Sequence, residues 1–189
     1  MRLFLALAVP SELQKRLQSL QEELASVDWQ IRWTPPQKLH LTLHFLGETP
    51  ENLLQDFHHE LGALAHTRRP FDLQLGALGA FPSFEDPRVL WAGLRSSGDH
   101  LESLFEASYR ILDRYRIFKL RKDFRPHISL GRVSELRQAW DSKRIEKLLP
   151  QWERLGFMEV ADMRLMRSRL NEAGADYETI EIYKFDAAR

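Results

Sequence analysis

The sequence contains no cysteine. This excludes a disulfide scaffold, a thiolate zinc or iron–sulfur site and a thiol nucleophile. It also lacks an excess of charge of either sign: 27 Lys and Arg stand against 27 Asp and Glu over 189 residues. A domain that coats nucleic acid by bulk electrostatics is usually basic, so neutrality argues against that class. Long apolar runs are missing too. The opening MRLFLALAVP is too short to cross a bilayer, has no small-residue cleavage pattern and is followed by Pro10 and a polar helical pattern. It reads as a buried first strand, and a soluble cytoplasmic protein is expected. No linker or low-complexity tract divides the chain, so residues 1–189 are expected to form one domain.

What is present is an alternation of helical and strand patterns. Residues 3–9 read as a strand. Ser11-x-x-Gln14 has the form of a capping box, and Leu13, Leu17, Leu20 and Leu24 repeat with helical spacing. Trp29 to Trp33 reads as a short strand, ended by Pro35-Pro36. From Leu39 to Leu46 the pattern has period two: Leu39, Leu41, Leu43 and Phe45 on one face, His40, Thr42 and His44 on the other. Parity therefore places Phe45 in the core. Helices are predicted over 50–65, 99–115 and 135–149, and strands over 71–79, 88–94, 127–133, 153–168 and 176–185.

The chemistry lies in a repeated tetrapeptide. His40-Leu41-Thr42-Leu43 and His127-Ile128-Ser129-Leu130 both read His, aliphatic, hydroxyl, aliphatic, each after a proline-containing lead-in, and they use two of the seven histidines. On a strand, residues i and i+2 share a face, roughly 6.5–7 Å apart, so each copy offers an imidazole and a hydroxyl together. A duplicated unit would bring two of each to one cleft. Two imidazoles can divide acid and base roles near neutral pH, and two hydroxyls can donate to the non-bridging oxygens of one phosphate. This equipment suits in-line displacement at a phosphodiester without a metal. The motif's symmetry leaves open which histidine is acid and which is base.

These motifs carry a resemblance. The lead-in Arg32-Trp-Thr-Pro-Pro-Gln-Lys-Leu39, the His44-Phe-Leu-Gly-Glu48 that follows, Phe124-Arg-Pro126 before the second copy, Pro87-Arg-Val-Leu-Trp91, and the closing Ser168 and Tyr177 are similar to the two-histidine phosphoesterases. Within that superfamily they resemble the RNA 2′,3′-cyclic phosphodiesterases, formerly called 2′-5′ RNA ligases. Ser129 departs from the commoner threonine but keeps the hydroxyl. The resemblance implies an α+β fold of two pseudo-symmetric lobes, each an antiparallel sheet backed by helices, around a central cleft. It implies hydrolysis of a terminal 2′,3′-cyclic phosphate to a 2′-phosphomonoester. By motif position His40 would be the proton donor, His127 the proton acceptor, and Thr42 and Ser129 the phosphate-binding hydroxyls. No cofactor is implied. The expected partners are RNA 3′ ends or nucleotides bearing the cyclic phosphate, and a monomer is expected. Two other readings use the same residues: reversible 2′-5′ RNA joining, and a nucleotide- or RNA-end-binding module with little turnover.

Further candidates come from position. Residues 114–132 hold seven basic side chains and one acid; Arg132 and Arg125 are the candidates for RNA contact. Arg132 is five residues after His127, hence on the opposite strand face unless a bulge intervenes near Gly131. Trp33, Phe81 and Phe84 border predicted loops and could stack a base. His40 and His44 cannot share a metal on a strand, since i and i+4 lie about 13 Å apart. His58, His59, His66 and His100 read as surface residues.

Overall fold

The computed structural model describes residues 1–25, 30–116, 119–120, 123–135, 156–171 and 174–186. Of the predicted helix over 135–149, residue 135 ends a strand and 136–149 lie outside the described residues, as does Trp29. The elements run β1 (Arg2–Ala8), α1 (Ser11–Ala25), β2 (Gln30–Trp33), β3 (His40–Glu48), α2 (Leu54–His66), β4 (Phe71–Phe81), β5 (Val89–Ser96), α3 (His100–Asp113), β6 (His127–Glu135), β7 (Phe157–Val160), β8 (Asp162–Asn171) and β9 (Gly174–Lys184). Short 3₁₀ turns precede β3 and α2. The strand expected over 153–168 is therefore two strands. Ala161 separates them because β7 pairs with β4 while β8 pairs with β1.

Among the described residues nine strands form one sheet, ordered β7-β4-β5-β6-β3-β1-β8-β9, with β2 also on β6, and all the ladders are antiparallel. The two halves meet where β3 pairs with β6 through Leu41 and Ile128 alone. Beyond that point the free edge of β6 is taken by β2. The sheet thus forks between the two motif strands, which opens a cleft along the seam. Leu41 and Ile128 are both fully buried. The pleat turns their neighbours His40, Thr42, His127 and Ser129 to the other face.

The helices cover the far side. Leu13, Leu17, Leu20 and Leu24 bury the apolar stripe of α1 as their spacing requires. The capping box does not form: Gln14 instead gives its side-chain N–H to the Val9 carbonyl and its backbone N–H to the Pro10 carbonyl. Helix α2 packs on β9 and α3, and α3 packs on β3.

Both motif strands carry a bulge at the same place. In β3, Thr42 opposes Ala6 but His44 opposes Leu5, so Leu43 is the extra residue. In β6, Ser129 opposes Trp91 but Gly131 opposes Leu90, so Leu130 is the extra residue. Each bulge falls three residues after its histidine and reverses the facing of the residues that follow, until a further register shift at Leu46 in β3 and at Ser134 in β6. Phe45, expected in the core, is instead 70% exposed. His44, expected on the polar face, is buried, with its Nε2 hydrogen-bonded to Ser108 Oγ at 2.9 Å and its ring stacked on Phe105. The Leu130 bulge is satisfied by α1 and the β2 end: its carbonyl accepts from Gln21 Nε2 at 2.8 Å and from the Thr34 N–H at 2.9 Å. Gly131 is needed beside it, because a Cβ there would lie 2.7 Å from Ile31 and 2.9 Å from the Trp33 ring.

Candidate active site

The two histidines are held in the same way. His40 Nδ1 lies 2.7 Å from the Lys38 carbonyl, and His127 Nδ1 lies 2.6 Å from the Arg125 carbonyl, each two residues back. A carbonyl can only accept, so both Nδ1 atoms carry hydrogen and both Nε2 atoms are left to exchange protons with a ligand. Antiparallel pairing about Leu41 and Ile128 sets His40 across from Ser129, and Thr42 across from His127. All four line one cleft of about 620 Å³, within the size range of small-molecule sites.

The surroundings of the two rings differ. Phe4 lies 5.0 Å from the His40 ring, and Tyr177 meets it edge-on at 5.2 Å. Burial pushes the His40 pKa below its ordinary value; the Lys38 carbonyl opposes that shift, and charge on His127 adds to it. His127 takes the edge of Phe81 at 4.9 Å, with Trp91 at 6.2 Å. Trp91 fits there because Gly79 faces it across the β4–β5 ladder, where a Cβ would fall 2.0 Å from the indole.

The cleft is cationic. Arg2, Arg32, Lys38 and Arg132 line it, and among the described residues no carboxylate does. The β6 bulge brings Arg132 onto this face, meeting the condition set by its parity. Arg32 is its direct cross-strand neighbour on β2. Like charges placed opposite one another are unfavourable without an anion between them. The cations come from separate strands and turns, and among its described residues the basic stretch over 114–132 supplies only Arg132. Arg114 in that stretch pairs with Glu60, and Arg121 and Lys122 lie outside the described residues.

The other expected site residues are divided. Trp33 lines the cleft. Phe81 touches it only through the His127 ring. Phe84 is half-buried against the core. The Arg125 guanidinium is exposed beside Asp123 at 3.6 Å, and its residue serves the site through the carbonyl. Sequence reasoning missed Phe45, Leu170, Arg2, Arg32 and Lys38, all of which line the cleft. The visible trace of Phe45 was Leu46, an apolar residue on the nominally polar parity of β3. His58, His59, His66 and His100 are exposed, as read from the sequence.

Residues 7–91 match the family model for LigT-like phosphoesterases. A relative from Archaeoglobus fulgidus, named RNA 2′,3′-cyclic phosphodiesterase, is 31% identical over 97% of this chain and all of its own length. A crystal structure of a Thermus thermophilus protein superposes with a TM-score of 0.82 at 28% identity, over the whole of both chains. That of E. coli LigT complexed with 3′-AMP superposes with a TM-score of 0.73 at 24% identity, over 97% of each.

Proposed function

The chain belongs to the LigT-like phosphoesterases, and we propose that it hydrolyses RNA 2′,3′-cyclic phosphate ends to 2′-phosphomonoesters by two-histidine acid–base chemistry without a metal. The observation that carries this reading is the matched pair of imidazoles, each with Nδ1 tied to a carbonyl two residues back and each beside a hydroxyl across the Leu41–Ile128 pair.

In the proposed step a water oxygen attacks phosphorus and gives its proton to His127 Nε2. The bond from phosphorus to the 3′ oxygen breaks, and that oxygen takes a proton from His40 Nε2. A 2′-phosphate and a 3′-hydroxyl result, and the protonation states of the two histidines are exchanged. Thr42 and Ser129 donate to the non-bridging oxygens. Arg132 binds phosphate through its planar fork, and Phe45 offers a stacking face to the base. A phosphodiester anion beside His40 favours the imidazolium, opposing the effect of burial. The alkaline limb, set by deprotonation of His40, should therefore lie at higher pH in kcat than in kcat/KM, since the first reports the complex and the second the free enzyme.

The test is incubation of the protein with an oligonucleotide ending in a 2′,3′-cyclic phosphate, in the presence of EDTA, followed by phosphorus NMR. A 2′-monoester is expected. A 3′-monoester, or turnover abolished by EDTA and restored by a divalent cation, would overturn the reading. Including a 5′-hydroxyl RNA detects the joined product.

A further inference from the structure

The carbonyl that orients His40 belongs to Lys38, whose side chain reaches a different part of the chain. Lys38 Nζ donates to the Ala175 carbonyl at 2.9 Å and to Asp176 Oδ1 at 2.5 Å. The other oxygen of Asp176 accepts from Asn171 Nδ2 across the same β8–β9 hairpin. The next residue, Tyr177, packs edge-on against His40 and at 5.1 Å from Phe4, which also packs on His40. Two routes from the hairpin therefore converge on one imidazole: an ion pair acting through the Lys38 main chain, and a direct ring contact.

His127 also has a direct ring contact, from Phe81, but among the described residues no equivalent ion pair. Its orienting carbonyl is on Arg125, whose guanidinium meets only the near neighbour Asp123 among the described residues. Asp176 is 56% exposed, and so open an ion pair adds little to folding stability. Its effect is better sought in geometry. Placement of a proton-transfer group is sensitive to displacements of about 1 Å, and Lys38 is the hinge between the 3₁₀ turn and the strand that starts at His40.

We propose that Lys38 and Asp176 are positioning residues that latch the β8–β9 hairpin to the turn before β3, fixing the rotamer and tautomer of His40 alone. This rests on the reading of His40 as the proton donor, but its first test does not. The ring-nitrogen ¹⁵N shifts of both histidines are measured in the free enzyme, in the wild type and in Asp176→Asn. The expected result is that His40 moves from the Nδ1–H form toward a mixture of tautomers while His127 keeps its shifts. With the cyclic-phosphate substrate, kcat should fall about tenfold with KM nearly unchanged. Lys38→Arg, which keeps a cation on the hairpin, should retain most of the rate. Unchanged His40 shifts, or equal movement of both histidines, would overturn the latch. Should Asp176→Asn unfold, Lys38→Met is read by the same signals. If the ring signals respond while His40→Ala leaves turnover intact, the latch stands and the proton-donor reading fails.

Discussion

In one half of the sheet the fifth residue after the motif histidine is Phe45; in the other it is Arg132. Both are swung into the cleft by a bulge at the third residue, Leu43 or Leu130. The fourth residue goes the other way in both: His44 under α3, and Gly131 under Trp33. The same backbone device thus delivers an aromatic face from β3 and a cation from β6 to the one cleft. The duplicated frame supplies matched imidazoles and hydroxyls, and the residues on either side of the bulges make the two halves unequal. His40 is more enclosed, its pKa lowered by burial, and is tied to a distant hairpin. An anionic, aromatic ligand has one favourable orientation in such a cleft.

The largest effect should come from the histidines. Replacing either His40 or His127 by alanine should cost about 10²–10⁴ in kcat/KM on a cyclic-phosphate RNA. The comparison is sharpened with a diester substrate whose leaving group needs no proton. His40→Ala should then regain most of its loss and His127→Ala should not; the reverse result would exchange the proposed roles.

A smaller effect separates the two bulge-borne side chains. Phe45→Ala should cost roughly 5–150-fold in kcat/KM, the range of one lost base stack, and Phe45→Tyr should recover it. Arg132→Ala should lower the salt dependence of binding by about one counterion, and Arg132→Lys should restore the salt dependence more than the rate, because it keeps charge without the fork. Equal salt slopes in Phe45→Ala and Arg132→Ala would erase the distinction between the halves.

The smallest effect is on stability, and it belongs to the His40 half. Burial holds the His44 pKa down at about 4 against 6.5 for the free side chain. The unfolded chain therefore takes up this proton at higher pH than the folded one, and stability falls as pH drops from about 6.5 to 4. Linkage sets the loss at about 2 kcal/mol between pH 7 and pH 5. Urea melts at the two pH values check it, and the contribution of this group should vanish in His44→Gln if the Ser108 bond is kept.

Much of this arrangement was legible in the sequence. The leucine spacing of α1, the strand-like alternation of β3 and the paired motifs led to the elements and to the four central side chains. Parity failed after Thr42 and after Ser129 because it assumes an unbroken ladder, and a bulge changes the facing without changing composition. Leu46 and Arg132 were the residues out of phase. The Lys38–Asp176 pair left no trace, since its partners are 138 positions apart and each is an ordinary surface charge when read alone.

Gln21 spans 109 residues to reach the Leu130 carbonyl. A ribosome completes α1 and the nearby Thr34, whose carbonyl also accepts from this amide at 2.8 Å, long before it makes β6, so the second acceptor arrives only when the second motif has emerged. A fragment ending before Leu130 would leave this amide the Thr34 carbonyl as its one acceptor of the two. The second half of the site is in this sense assembled by an early part of the nascent chain, and both halves must have been made before either histidine has its partner.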